Sequence, residues 1–200
     1  MDATTLRRYF ILGSQNCRGE NPLSVLNRAI ESGITAFQYR EKGQGSLHGK
    51  KKIELGLALR EMCRTNGIPF FINDDVELAQ ILDVDGIHIG QEDEKPNKVR
   101  ERFPDLVIGL SVSNEHELAN SSLEGVDYIG AGPIFATNTK SDAKTPTGTE
   151  WIRKLKQQHP HLPVVGIGGI HAGNAKKVLS AGADGVAFIT AVFDKDVHLL

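Results

Sequence analysis

The sequence predicts an α/β protein, a parallel (β/α)8 barrel of the TIM type in a single domain over residues 1–200. Three observations carry that expectation. Eight short apolar runs recur along the chain, and helix-like segments separate them. Three returns from helix to strand also share one signature, VDGIHI at 84–89, VDYIGA at 126–131 and ADGVAF at 183–188, in which an acidic residue introduces the next strand. That is the echo of a β/α unit rather than an exact repeat. An open doubly wound sheet is the alternative, but eight such units close more naturally into a barrel.

The strands are expected at RYFILG (8–13), AFQYRE (36–41), PFFIND (69–74), GIHIGQ (86–91), LVIGLS (106–111), YIGAGP (128–133), PVVGIGG (163–169) and GVAFIT (185–190). They are rich in Val, Ile or Phe, and most lack strict polar alternation, as strands covered on both faces do. The first helix, NPLSVLNRAIESG (21–33), has Pro22 just inside an N-cap at Asn21 and Gly33 just past its end. SLHGKKKIELGLALREMCRTNG (46–67) sets Leu47, Ile53, Leu55, Leu59 and Met62 roughly on one stripe and stops at Asn66 and Gly67. DVELAQILD (75–83), EKPNKVRERFP (94–104), NEHELANSSLEG (114–125), GTEWIRKLKQQ (148–158) and HAGNAKKVLSAG (171–182) supply the helices that follow. After the eighth strand the chain offers AVFDKDVHLL, too short for a full closing helix, so the last helix is expected to be a shortened stub or a truncation.

Composition narrows the function classes. With 40% hydrophobic and 24% charged residues the chain is ordinary globular protein. A net charge of -2 gives no electrostatic footprint for nucleic acid or for a membrane surface. MDATTLRRYFILG holds no signal-peptide core, and no apolar run reaches membrane-spanning length. Cys17 and Cys63 show neither metal spacing nor a paired framework, which reads as two free thiols in a reducing cytoplasm. The residues leave the oligomeric state open, a homo-oligomer included.

In such a barrel the chemistry sits at the C-terminal ends of the strands. The second strand ends in FQYREKG, where Gln38, Arg40 and Lys42 alternate and so point to one side. Two cations and an amide on one side form either a surface ion-pair face or, at a barrel mouth, an anion site, and the anion site is preferred. The third and fourth strands end in INDD and GQED, bringing Asp74 and Asp93 to the rim from neighbouring strands. Two carboxylates beside an Arg/Lys pair suit Mg²⁺, which takes few carboxylates together with phosphate oxygens and water. Asp93 also suits a helix N-cap, and for Asp75 the cap is the better reading. The fifth strand exposes Ser111 as a polar contact, whereas Ser113 and Asn114 read as caps. GIGG after the seventh strand and FIT at the eighth suit a phosphate cradle of backbone amides. Two anion sites on one rim suggest joining two phosphorylated molecules. His88, inside the fourth strand, reads as structural, and no Ser/His/Asp or Cys/His constellation is apparent.

Taken in order, FQYREKG, INDD, DGIHIGQED, GLSVS, DYIGAGPIFATNTKSDA, VVGIGGI and GADGVAFIT resemble the thiamine-phosphate synthase family over nearly the whole chain. The resemblance implies condensation of 4-amino-2-methyl-5-hydroxymethylpyrimidine diphosphate with thiazole phosphate, giving thiamine phosphate and pyrophosphate. By the same resemblance Gln38, Arg40, Lys42 and Asn73 hold the pyrimidine diphosphate, and Asp74 and Asp93 ligate Mg²⁺. Ser111 contacts the pyrimidine, Lys140 the pyrophosphate, and Thr137 and Thr139 belong to the thiazole-phosphate loop. Gly169, Ile189 and Thr190 form that phosphate's backbone cradle; Thr190 stands where the family often has Ser and keeps the hydroxyl. Tyr39 stands where an aliphatic residue is usual, and its side chain is expected to point away from the site. ATNTKSDAKTPTG, too polar to bury itself, is then expected to be a lid after the sixth strand, the alternative being a merely mobile surface loop. Three other functions compete with this one: a thiazole tautomerase, which has no use for a diphosphate site; a non-catalytic phosphometabolite-binding regulator; and a phosphate-binding isomerase, which needs an acid and a base at opposite strand ends.

Overall fold

The structure, a computed structural model, describes residues 3–137, 139 and 144–194. Eight parallel strands close into one barrel in sequence order: β1 (Arg8–Leu12), β2 (Ala36–Tyr39), β3 (Phe70–Asn73), β4 (Gly86–Ile89), β5 (Val107–Val112), β6 (Tyr128–Ala131), β7 (Val164–Ile167) and β8 (Gly185–Phe188). Among the described residues seven α-helices lie between them: α1 (Pro22–Glu31), α2 (Gly49–Thr65), α3 (Val76–Leu82), α4 (Pro96–Arg102), α5 (Glu115–Asn120), α6 (Gly148–Gln158) and α7 (Ala172–Ser180). Closure is direct, with Tyr9 of β1 in register with Ala36 of β2 on one side and Ala187 of β8 on the other. Among the described residues no helix is long and apolar enough to cross a membrane.

The helix ends follow local chemistry. Asn21 caps α1 by accepting from the Leu23 N–H at 2.8 Å, and Asn114 caps α5 through Glu117 N at 2.9 Å. Asp75 caps α3 through Leu78 N at 2.8 Å and pairs with Lys52 Nζ at 2.7 Å, so the cap reading of this residue holds. Two helices depart from expectation. α2 starts at Gly49, which leaves Leu47 outside it, and its buried face is Gly56, Leu59 and Cys63, with Ile53, Leu55 and Met62 only partly buried against the core. Gly56 sets that face, because a Cβ there would lie 2.7 Å from Leu82 Cδ1 and 3.1 Å from the Tyr39 ring. α5 ends at Asn120, short of the expected Gly125. After β8 the chain makes a single 3-10 turn, Ala191–Phe193; residues 195–200 lie outside the described residues.

The recurring acidic turn has a shared function. Asp85 accepts from Phe70 N at 2.7 Å, Asp127 from Ile108 N at 2.7 Å, and Asp184 from Val164 N at 2.8 Å. Each carboxylate thus sits just before an even strand and satisfies an N–H at the start of the odd strand beside it, from its first residue (Phe70, Val164) or its second (Ile108). Each is held in turn by a basic residue of the helix that precedes that odd strand: Arg60 of α2, Arg100 of α4 and Lys156 of α6, at 2.9, 2.6 and 3.0 Å. The first pair of strands uses a hydroxyl instead, Thr35 Oγ1 accepting from Arg8 N at 2.8 Å. The sequence signature therefore marks the N-terminal face of the barrel, the face away from the loops that carry chemistry.

Side chains alternate across the barrel wall. Outward residues such as Phe10, Phe37, Phe70, Ile87, Ile108 and Ile129 are fully buried beneath the helices, and Trp151 of α6 ties that layer to β5 by donating to Val112 O at 2.9 Å. Tyr39 belongs to this outer layer, its hydroxyl donating to Lys52 O at 3.0 Å, and so faces away from the barrel interior as expected. The inward set is smaller and contains Tyr9, Phe71 and Tyr128, which fill the barrel floor.

Candidate active site

A cavity of about 410 Å³ opens at the C-terminal ends of the strands. Of the residues singled out in the sequence, Lys42, Asp93, Ser111, Thr137, Thr139, Gly169, Ile189 and Thr190 line it. Gln38 lies deeper and lines a narrow slot in the floor, which Ser111 shares. Asp74 joins the mouth through Lys42. Arg40 is buried, and Asn73, half-buried, closes β3; neither lines the cavity wall. Lys140 lies outside the described residues.

At the β2–β4 side, Lys42 Nζ donates to Asp74 Oδ2 and lies 3.8 Å from Asp93 Oδ1. Burial alone would depress this ammonium, but the two carboxylates outweigh it and hold its pKa above the ordinary lysine value. Asp74 is held in the left-handed region at φ 52° while its N–H donates to His88 O at 2.9 Å. That conformation costs a non-glycine residue roughly 1–2 kcal/mol, so the surrounding structure imposes the direction in which the carboxylate points. Asp93 Oδ2 accepts from Gly90 N at 2.7 Å, folding its own turn and leaving Oδ1 toward Lys42. The two carboxylates converge on one cation from adjacent strands. Two carboxylate oxygens and open space suit Mg²⁺ completed by water and phosphate oxygens; among the described residues no group of three or more His, Cys, Asp or Glu gathers to hold a metal by protein alone.

The cationic loop is fastened by a residue that sequence reading passed over. Glu41, buried between Arg40 and Lys42, accepts from Ser14 N at 2.6 Å, Ser14 Oγ at 2.9 Å and Leu47 N at 2.7 Å. Gln15 adds a bond to Arg40 O at 3.0 Å. The signal was present in the sequence, an acid in the middle of a basic run.

The opposite wall is backbone. Gly168 and Gly169 follow β7 with φ of 100° and 61°, and a Cβ on either would strike the β6 loop, 2.5 Å from Pro133 Cβ or from Ala136 O. The β7 loop therefore packs directly under the β6 loop. That second loop leaves and returns through one neck: Thr147 N donates to Pro133 O at 2.8 Å and Gly148 N to Ile134 O at 3.1 Å. Beyond the neck Thr137, Thr139 and Lys144 line the cavity, and Lys144 Nζ is tied to Glu117 Oε1 at 2.5 Å. Lys144 and Glu117 were not anticipated. The rest of the expected lid, residues 138 and 140–143, lies outside the described residues.

The comparisons with known proteins agree along the whole chain. A family model described as thiamine monophosphate synthase matches residues 8–192. The chain belongs to the thiamine monophosphate synthase family. By that membership its activity is thiamine-phosphate synthase, a transferase activity. It is 57% identical to the thiamine-phosphate synthase of Oceanobacillus iheyensis over 199 residues, covering 100% of this chain and 96% of the relative. The enzyme of the same name from Bacillus mycoides is 49% identical, with 92% and 84% covered. Among solved structures, a thiamine phosphate pyrophosphorylase from Pyrococcus furiosus superposes with a TM-score of 0.84 at 34% identity, covering 98% of this chain and 92% of that one. A 4-hydroxy-2-oxoglutarate aldolase superposes at 0.67 with 15% identity, a likeness of fold alone.

Family membership does not supply the floor of this site. There His88 Nε2 lies 2.8 Å from Ser111 Oγ, and His88 Nδ1 lies 2.9 Å from Tyr128 Oη. A serine–histidine pair thus exists that the sequence reading did not find, although the imidazole's other nitrogen goes to a phenol. Gln91, also unanticipated, donates to Ser111 O at 2.7 Å and so fixes the end of β5.

Proposed function

We propose that this chain condenses 4-amino-2-methyl-5-hydroxymethylpyrimidine diphosphate with thiazole phosphate, releasing pyrophosphate and forming thiamine phosphate. The observation that carries the reading is a single cavity with two differently built anion ends. Lys42 between two carboxylates marks one, and the Gly168–Gly169 turn with Ile189 and Thr190 lies opposite. Gln38 and Ser111 at the floor suit the pyrimidine, with its leaving group directed up toward Lys42; Arg40 and Lys140 are the further cations that the family resemblance assigns to it. Asp74 and Asp93 are the residues that would hold Mg²⁺, which when bound supplies positive charge to the diphosphate. The methylene C–O bond breaks with its electron pair leaving on pyrophosphate, and the thiazole nitrogen lone pair forms the new C–N bond. That nitrogen has no proton to lose, so the step needs no general base. The protein's contribution is to bind, to orient and to place cations where negative charge grows. The loop between Ile134 and Thr147 acts as a lid that keeps water from the electrophilic carbon. Two buried free thiols are consistent with a cytoplasmic setting.

A thiazole tautomerase would have no use for the Lys42–Asp74–Asp93 end. The deciding experiment is pyrophosphate release on mixing the protein with both substrates, with Mg²⁺ and then with chelator. Release that needs both substrates and the metal is expected. Binding of thiazole phosphate without release would move the reading to a tautomerase or to a binding module.

A further inference from the structure

A continuous hydrogen-bonded chain crosses the barrel beneath the cavity. Gln38 Nε2 lies 3.0 Å from Tyr9 Oη, Tyr9 Oη 3.1 Å from Tyr128 Oη, Tyr128 Oη 2.9 Å from His88 Nδ1, and His88 Nε2 2.8 Å from Ser111 Oγ. Five different strands contribute one member each. Both ends, Gln38 and Ser111, line the floor slot, whose facing wall is apolar and includes Ile11, Val165 and Ile167. The neighbouring strands make room for the chain. A Cβ on Gly109 would lie 2.1 Å from Tyr128 Cζ, and one on Gly130 would lie 2.7 Å from His88 Cε1.

The interior members carry one exchangeable proton each when the imidazole is neutral, so the direction of one bond fixes all the others. Burial keeps both phenols protonated, pushing the Tyr9 and Tyr128 pKa values above the ordinary tyrosine value. With the Gln38 amide N–H donating to Tyr9, the Tyr9 proton goes to Tyr128 and the Tyr128 proton to His88 Nδ1. The imidazole proton is then on Nε2 and goes to Ser111. That leaves the Gln38 carbonyl as an acceptor at one end and the Ser111 hydroxyl as a donor at the other. Reversing the chain, with the proton on Nδ1, exchanges both roles together. In the first direction the pair offered is the Gln38 carbonyl and the Ser111 O–H; in the second, once the Gln38 amide has turned over, it is the Gln38 N–H and a Ser111 lone pair.

We propose that this Gln38–Tyr9–Tyr128–His88–Ser111 chain is a specificity device, selecting a flat heteroaromatic ring that offers one N–H donor and one ring-nitrogen acceptor in a fixed order. Tyr9, Tyr128 and His88 are positioning residues that act through its ends. The inference rests on the reading above, in which the aminopyrimidine lies in the cavity against its floor, where Gln38 and Ser111 end the chain. An oxo analogue, with C=O in place of the amino group and a ring N–H in place of the ring nitrogen, presents the opposite order. It fits only if every member reverses at once or if polar atoms are left unpaired.

The test compares inhibition of thiamine phosphate formation by 4-amino- and 4-oxo-2-methyl-5-hydroxymethylpyrimidine, neither of which carries a leaving group. Wild-type protein should prefer the amino compound by about a hundredfold. Tyr128→Phe and Tyr9→Phe keep the rings and cut the chain at different links, so each should lower that ratio by about tenfold or more. A variant that merely loosens the fold would weaken both compounds alike and leave the ratio within twofold of wild type, which overturns the proposal. A 15N spectrum should show His88 with one proton; a doubly protonated ring overturns the proposal as well. Wild-type protein that forms thiamine phosphate without preferring the amino ring overturns this inference alone. Protein that forms none overturns the underlying reading and this inference with it.

Discussion

Replacing Asp127 tests whether the acidic turns are stabilising devices and nothing more. Its Oδ2 accepts from Ile108 N at 2.7 Å and from Arg100 Nη2 at 2.6 Å. Ile108 is fully buried, so Asp127→Ala leaves its N–H without an acceptor, at a cost of roughly 1–3 kcal/mol. The lost ion pair adds less. The two side chains are 27% and 38% exposed, and solvent screening holds such a pair to about 1 kcal/mol or below. Together these give about 1–4 kcal/mol, or roughly 2–16 °C in melting temperature for a domain of this size. Asp127→Asn separates the two terms. Its amide oxygen still accepts from Ile108 N while the charge is gone, so it should cost about 1 kcal/mol or less. Urea unfolding at constant m-value measures both variants. Because Asp127 lies on the N-terminal face, turnover of folded protein should stay within about twofold of wild type. Equal losses for Ala and Asn would refute the division into terms, and a collapse of turnover at unchanged stability would refute the assignment of this face.

Three further outcomes are expected. Asp74→Ala and Lys140→Ala should each lower turnover by about a hundredfold or more, because under the proposed reading Asp74 would hold the Mg²⁺ and Lys140 would meet the departing pyrophosphate; near-normal pyrophosphate release by either variant would contradict the mechanism. At Asp75, burial would raise the carboxyl pKa, but Lys52 and the α3 N–H groups lower it below its ordinary 3.8. The stability it contributes is therefore complete above 3.8 and is lost as pH falls through the lower folded value. Asp75→Asn should be less stable than wild type at pH 7 and indistinguishable from it once acid has protonated the carboxyl, as pH-dependent urea melts would show. Finally, burial pushes the Cys17 thiol up to about 11 and the Cys63 thiol to about 12, so at pH 8 roughly one Cys17 in a thousand is thiolate. A thiol reagent should label both only on unfolding, and rapid labelling of the native protein would count against this packing.

Much of the fold was legible because parallel barrels write themselves locally. Asn21, Asp75 and Asn114 cap helices through contacts two or three residues away, and a short apolar run between such caps has few readings other than a buried strand. What escaped was set by neighbours distant in sequence. The α2 stripe was misjudged because Leu82 and the Tyr39 ring come close to Gly56 and turn that helix onto a glycine face. The acidic echo showed three members where the structure has four, because Thr35 performs with a hydroxyl what Asp85, Asp127 and Asp184 perform with carboxylates. A pattern read by charge cannot see a recurring geometry served by a neutral acceptor.

The site divides in the same way. Residues proposed to meet ligand from a strand end are visible in a sequence, since Lys42, Asp74 and Asp93 are polar groups stranded at the ends of apolar runs. Residues that work beneath them are camouflaged. Tyr9 and Tyr128 pass for core aromatics, and His88 for a satisfied histidine, which in a limited sense they are. Strand parity offered the one available clue: Gln38 and Ser111 point inward with these three, so polar side chains on the inward parity of β1, β2, β4, β5 and β6 had to find one another or remain unpaired. Their common hydrogen-bond direction is a property of the closed barrel rather than of any strand. Closure sets Tyr9 of β1 beside Tyr128 of β6, 119 positions apart, and only then does a proton on His88 determine what Gln38 can offer.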